Sequence, residues 1–188
     1  MIRRAEAKDI AGIARLLLGI AQLHHRGRPD IFRGGSKYGI AELEAIIRDE
    51  SRPVFVAASG GVGDARLGIP PASGIGSGGV GDARLGVPPA SGGDGRRILG
   101  YCFCAVEHRA PSAILNGSCL LYIDDFCVDE GSRRLGIGRR LFDAAVGHAR
   151  QVGARSVELN VWEFNEGARR FYESLGFRTQ RRRMEMDI

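Results

Sequence analysis

The chain has 188 residues, 44% of them apolar, which is enough for one substantial buried core and gives little reason to divide it. Its formal net charge of +5 comes from arginine clusters at 96–97, 133–134, 139–140, 169–170 and 181–183. A guanidinium holds phosphate oxygens two at a time, so the pattern suits phosphate-bearing ligands, with solvated surface the competing reading and the preferred one for the last cluster. The longest early apolar stretch, Leu16-Leu17-Leu18-Gly19-Ile20-Ala21, is far short of the ~20 residues of a membrane helix, and no small-residue cleavage site follows it. A soluble, cytoplasmic protein with no membrane partner is expected.

In chain order, Ile2 to Arg4 reads as a short strand. An amphipathic helix runs from about Lys8 to Leu23, with apolar residues at Ile10, Ile13, Leu16, Leu17 and Ile20. After the breaks at Pro29 and Gly34-Gly35 a second helix covers roughly Ile40 to Arg48. Between these helices lie His24 and His25, read as loop or pocket wall because no second ligand cluster accompanies them.

Pro53 to Ala58 and Ile98 to Val106 read as strands at the two ends of an elongated hairpin. Between them an internal repeat takes over: Ser59 to Gly76 is repeated almost unchanged from Ser77 onward. Each unit is rich in glycine and proline and too poor in apolar residues to offset its ordering entropy. Residues 60–95 are therefore expected to form a flexible insertion within a single domain spanning 1–188. Gly74-Ile75-Gly76-Ser77-Gly78-Gly79 matches a dinucleotide-binding pattern but neither follows a strand nor opens a helix, and is rejected.

Cys119 to Val128 is a further strand, Leu135 to Val152 a helix with Leu141, Ala145, Val146, Ala149 and Val152 at helical spacing, and Gly153 its stop. Ser156 to Val161 alternates as a strand, Asn165 to Leu175 returns to helix ahead of Gly176, and Met184 to Ile188 reads as a last strand. Cys102, Cys104, Cys119 and Cys127 all fall in apolar strand sequence and read as reduced core residues, with no metal spacing among them. The whole is a mixed sheet covered by helices, an α+β or α/β arrangement.

The strongest chemical signal is the turn from the strand ending at Val128 through Arg133-Arg134-Leu135-Gly136-Ile137-Gly138 into a helix. Glycines let the backbone approach a ligand, and the first helical turn offers unpaired N–H groups and about half a positive charge, a natural seat for pyrophosphate. No Lys-Ser/Thr follows, so this is not a P-loop.

Arg133-x-x-Gly136-x-Gly138 after a strand resembles the first signature of the GNAT acetyltransferases. Asn165-Glu166-Gly167-Ala168-Arg169-Arg170-Phe171-Tyr172-Glu173-Ser174-Leu175-Gly176-Phe177 resembles the second, and the order of elements matches the family except at the repeat. The resemblance implies an α/β sandwich of six to seven mostly antiparallel strands with a splayed central pair and helices on both faces. It also implies acetyl-CoA as cosubstrate and no metal. Phe126, Cys127 and Val128 would pair with the pantetheine arm, Arg133, Arg134, Leu135, Gly136, Ile137, Gly138 and Arg139 would hold the pyrophosphate mainly by backbone amides, and Asn165 and Ala168 would meet the arm. Tyr172 matches the family's proton donor to the departing thiolate; the same position suits a core tyrosine beside Phe171.

An amine acceptor with pKa near ~10.4 is almost all protonated at pH 7, so transfer needs a base. Tyr122-Ile123-Asp124-Asp125-Phe126 is similar to the acidic stretch of spermidine/spermine acetyltransferases, which implies Asp124 as base and Asp125 and Tyr122 as substrate contacts. Alternation along a strand leaves only one of the two acids facing a given cleft. Glu107, His108 and Glu163 are the reserve bases. The implied reaction is direct transfer to a primary amine of a small molecule. Alternatives are a protein N-terminus or lysine as acceptor, or acyl-CoA binding without catalysis. The basic clusters lack interleaved aromatics, so no nucleic-acid partner is expected. A homodimer is an implication of the resemblance alone.

Overall fold

The computed structural model describes residues 1–60, 96–186 and 188. Five strands form one sheet in the order β1-β2-β3-β4-β5: β1 Ile2–Arg4, β2 Val54–Ala58, β3 Ile98–Arg109, β4 Ser118–Val128 and β5 Ser156–Leu159. All neighbours are antiparallel except β4 and β5. Parallel neighbours need a long crossover, here the helix α3, Ile137–Gln151. The helices α1, Ile10–Gly27, and α2, Ile40–Arg48, precede β2, and α4, Glu166–Ser174, follows β5.

The sheet separates two apolar clusters. On one face Ile13, Leu17, Leu43 and Ile46 of α1 and α2 pack on Val54, Val56, Tyr101 and Phe103. On the other, Ile137, Leu141, Ala145 and Ala149 of α3 pack on Phe55, Ala57, Leu99, Cys102, Cys104 and Leu121. Every residue of β2 is buried, which explains why Val-Phe-Val-Ala-Ala is uninterruptedly apolar: both of its faces are covered. Gly12 of α1 has no room for a side chain, since a Cβ there would lie 2.6 Å from Ile98 Cγ1.

Several expectations need correction. Helix α1 runs on to Gly27 instead of ending at Leu23, because its last turn gains partners: the His24 ring packs 5.0 Å from Phe32 and 6.2 Å from Phe164. Helix α3 begins at Ile137 instead of Leu135, since Arg134 (φ 62°) and Gly136 (φ 74°) take left-handed conformations that a helix excludes. Residues 184–188 form no strand among the described residues; Met184 and Met186 are exposed and Glu185 pairs with Arg28. Alternating apolar residues there have no core to face, and the described residues supply five strands where six or seven are expected. Cys102, Cys104 and Cys127 are buried but Cys119 is only half-buried, near the start of β4. The rejected glycine run falls outside the described residues, as do the repeat and its reading as a flexible insertion apart from Ser59 and Gly60. Ser59 and Arg97, on either side, are hydrogen-bonded, with Ser59 N–H donating to the Arg97 carbonyl at 2.9 Å.

Leu141 is fully buried between α3 and the sheet. Truncation to alanine removes its contacts and leaves a cavity, so Leu141→Ala is expected to lose about 3 kcal/mol and lower the melting temperature by roughly 6–12 °C. Differential scanning calorimetry checks this, and an unchanged melting temperature contradicts the packing described.

Candidate active site

Strand β4 pairs with β5 only from Leu120↔Ser156 to Ile123↔Leu159, then continues alone to Val128. Its remaining length therefore has one free edge. The Asp129 N–H donates to the Leu99 carbonyl at 2.8 Å, which fixes the phase of the ladder: Asp129 and, two residues back, Cys127 direct their backbone groups at β3. Phe126 and Val128 direct theirs into the opening. Consistently, the Val128 carbonyl meets the Arg133 guanidinium Nε at 3.5 Å on that side. Of the three residues expected along the cofactor arm, Cys127 thus has its backbone turned to β3. Its thiol is pushed up to about 12 by burial and by the neighbouring Asp125 charge, which keeps it protonated at neutral pH.

Beyond Val128 the chain turns through a short 3-10 segment, Glu130–Ser132, before α3. Asp129 pins this turn. Its carboxylate accepts from Arg15 of α1 at 2.7 Å and from Arg97 at 2.8 Å, and Arg15 also donates to the Ile98 carbonyl at 2.9 Å. Burial disfavours the charge on Asp129, yet the bonds and charges of Arg15 and Arg97 outweigh it and hold the carboxyl below its ordinary value. Gly136 caps α3 in the left-handed region with open space around it, so its role is conformational. Gly138 instead lies close against α4: a Cβ there would meet Phe171 Cζ at 3.0 Å.

The start of α3 fits a pyrophosphate. No side chain caps its first amides and no acid occupies its first turn, and Arg133, Arg134 and Arg139 flank it, Arg139 being paired with Asp143 at 3.0 Å. Leu135 is exposed at the same turn.

The acid pair departs from the simple alternation. The β3–β4 register shifts between Phe103 and Cys104, so that Phe103 faces Asp125 while Cys104 faces Ile123, leaving Asp124 as an extra residue. This bulge brings both carboxylates to the side of α1 and α2, contrary to the expectation that only one would face a given cleft. The Lys37 ammonium, from the loop between those helices, lies 3.0 Å from Asp124 Oδ2 and 3.8 Å from Asp125 Oδ2. The Tyr38 hydroxyl donates to Asp124, and the Tyr38 ring stacks 5.7 Å from Phe103. Asp125 is nearly buried and accepts from the Tyr101 hydroxyl at 3.1 Å. Burial raises its carboxyl above the ordinary value; Lys37 and Tyr101 oppose the shift and Asp124 adds to it.

Tyr172 lies on α4 with its ring 6.2 Å from Phe126 and 5.6 Å from Phe177. Burial, with Cys102, Asp125 and Cys127 nearby, pushes its phenol well up, so it holds its proton across the physiological range. Asn165 caps α4: its side-chain oxygen accepts from the Ala168 amide at 3.2 Å, which engages both residues locally. Tyr122 accepts from Asn160 at 2.9 Å. His24, Phe32, Trp162 and Phe164 form a run of ring contacts joining the end of α1 and the loop after it to the segment between β5 and α4. Of the reserve bases, Glu107 lies near Arg109 and Glu163 binds Arg169. Sequence reasoning missed Lys37, Tyr38 and Tyr101. A tyrosine inside the apolar β3 was the one available signal, since a buried phenol needs a partner.

Residues 89–177 match the Acetyltransferase (GNAT) family. A tetramutant of a Bacillus halodurans protein is similar over 100% of this chain and 99% of its own, at 27% identity and TM-score 0.77. An aminoglycoside acetyltransferase from an uncultured soil metagenomic sample shares the fold over 100% and 95% of the two chains, at 18% identity and TM-score 0.62. So does an aminoglycoside N-acetyltransferase in complex with CoA, over 100% and 98%, at 14% identity and TM-score 0.60. No curated sequence matches the chain.

Asp129→Asn is expected to lower stability by about 1–3 kcal/mol, below the full value of a buried pair because Arg15 and Arg97 are partly solvated. The folded carboxyl is depressed, so its contribution is full above the unfolded value near ~3.9 and is lost as pH falls through the lower folded value. Denaturant unfolding between neutral and acid pH checks this: the variant's deficit should shrink as pH falls below about 4. A deficit constant with pH would show that the Asp129 charge contributes nothing.

Proposed function

Since residues 89–177 match the GNAT acetyltransferase family and the chain has the GNAT fold, we propose that it transfers an acetyl group from acetyl-CoA to a primary amine of a small molecule by direct attack in a ternary complex. One observation carries this reading: a carboxylate pair that already holds an ammonium group lies on β4 immediately before the free backbone edge of Phe126 and Val128.

Acetyl-CoA supplies an acyl group activated as a thioester. The amides at the start of α3, with Arg133, Arg134 and Arg139, bind the pyrophosphate, and the amide and carbonyl groups of Phe126 and Val128 meet the pantetheine amides. The Val128 N–H is the donor available to a thioester carbonyl, and one such preorganised donor is worth ~3 kcal/mol. Asp124, half-solvated and bonded to Tyr38, attracts and orients the acceptor ammonium. Asp125 takes the proton, because burial raises its carboxyl toward the range in which a base works well. These two roles are exchanged relative to those expected from the resemblance. Tyr172 keeps its hydroxyl protonated and donates a hydrogen bond to the departing sulfur. Full proton transfer from so weak an acid is less favourable than from an ordinary tyrosine.

The purified chain is to be incubated with acetyl-CoA and a panel of polyamines, amino acids, short peptides and aminoglycosides, the last because proteins of this fold acetylate them. Mass spectrometry of the acetylated product is the readout. Product from one amine class is expected. Asp125→Asn should then lower kcat/KM about a hundredfold, and the wild-type kcat/KM should rise with pH through the Asp125 ionisation, since the base works only when ionised. Tyr172→Phe should lower kcat about tenfold or more with CoA affinity unchanged. Bound acetyl-CoA without any amine product would direct the reading to a protein acceptor, and no binding at all would overturn it.

A further inference from the structure

Of the 27 lysines and arginines in the sequence, Lys8 and Lys37 alone are lysine. Surface charge is supplied everywhere else by arginine, which does not lose its proton under physiological conditions and is not an acyl acceptor. One of the two lysine side chains lies at the acid pair. Lys37 Nζ lies within 4.0 Å of both carboxylates, donates to the Asp124 carbonyl at 3.2 Å and lies over the Tyr38 ring at 5.2 Å. Its loop is tied down on both sides of it. Arg28 holds Asp30 at 2.7 Å, His25 meets the Phe32 carbonyl at 2.6 Å, and Tyr38 is bonded to Asp124 and stacked on Phe103. A carboxylate pair and an aromatic face are also what would receive an acceptor's ammonium.

We propose that Lys37 is a self-acetylation site, seated where the acceptor amine belongs and modified from an acetyl thioester when no external amine is present. The inference rests on the acetyl-transfer reading above. In the step, the Lys37 ammonium gives one proton to Asp125 and the free Nζ attacks the thioester carbonyl. The N–C bond forms as the C–S bond breaks, and the thiolate leaves, taking a proton to become the free thiol. The remaining amine proton passes to solvent. The product is a neutral amide that no longer neutralises Asp124 and Asp125, so modification vacates the carboxylates for an external ammonium and favours an acceptor with more than one positive charge.

Lys8 is the internal control, since it pairs with a single carboxylate, Glu6, at 2.8 Å. The test is to incubate the full chain with acetyl-CoA alone, digest it, and follow both lysines by mass spectrometry. The external amine panel is run in parallel, and a second readout without cofactor uses acetic anhydride. Lys37 is expected to be acetylated from acetyl-CoA about a hundredfold faster than Lys8, at a rate independent of protein concentration, with the advantage lost in Asp125→Asn. With the anhydride, Lys37 of the free chain should react several-fold more slowly than Lys8, and Asp124→Asn should abolish that protection. Equal acetylation of both lysines from acetyl-CoA overturns the proposal. An acetylated external amine with Lys37 unmodified overturns it too and leaves the proposed function standing. If the anhydride shows Lys37 held at the acids but neither it nor any amine is acetylated, the proposed function fails and this inference with it.

Discussion

The end of pairing between β4 and β5 is the constraint on which the site depends. A strand inside a sheet normally satisfies both edges, and a buried unpaired amide or carbonyl costs about as much as a lost hydrogen bond. Phe126 and Val128 escape this only because the opening is accessible to solvent or to a ligand with its own amides. The bulge at Asp124 lies directly where pairing with β5 stops. It adds a residue, changes the side-chain phase and brings two acids to one face. The bulge thus accounts for the paired carboxylates, and the end of β5 at Leu159 leaves the free backbone edge beside them.

Such an opening would be loose unless its margins were held, and three contacts hold them. Asp129 fastens the turn after β4 to α1 and to the start of β3 through Arg15 and Arg97. Phe171 packs against Gly138, which couples α4 to the first turn of α3 in close contact. Tyr38 ties the loop between α1 and α2 to Asp124 and Phe103. Each joins an element bearing a candidate functional group to the sheet, placing that group on rigid structure instead of on a free loop.

Much of this was legible in the sequence because it depended on local rules. Helical spacing located α2 to the residue and α3 to within two, and Gly153 and Gly176 stand in the left-handed conformation that ends a helix. The strands flanking the repeat could be read from apolar runs. What could not be read depended on register or tertiary partners. No propensity marks a bulge between Ile123 and Asp125, and strict alternation predicted the wrong facing for one acid. Helix α1 outran its apolar pattern because His24 found aromatic neighbours. Lys37 carried no signal beyond being one of two lysines, since only the fold brings a residue so distant in sequence to Asp124.

Electrostatics gives the opening a direction. At one end the uncapped start of α3 and its arginines present positive charge; at the other, Asp124 and Asp125 present negative charge only partly cancelled by Lys37. A polyanionic cofactor and a cationic acceptor of the kind proposed would be drawn to opposite ends of the same free edge, each poorly accommodated at the other's end. The net charge of +5 hides this separation, because composition sums the two ends that the fold keeps apart. The buried Asp125 is the sharpest expression of it: burial favours its neutral form and a neighbouring ammonium its ionised form, so its protonation would be coupled to the arrival and deprotonation of an amine bound there.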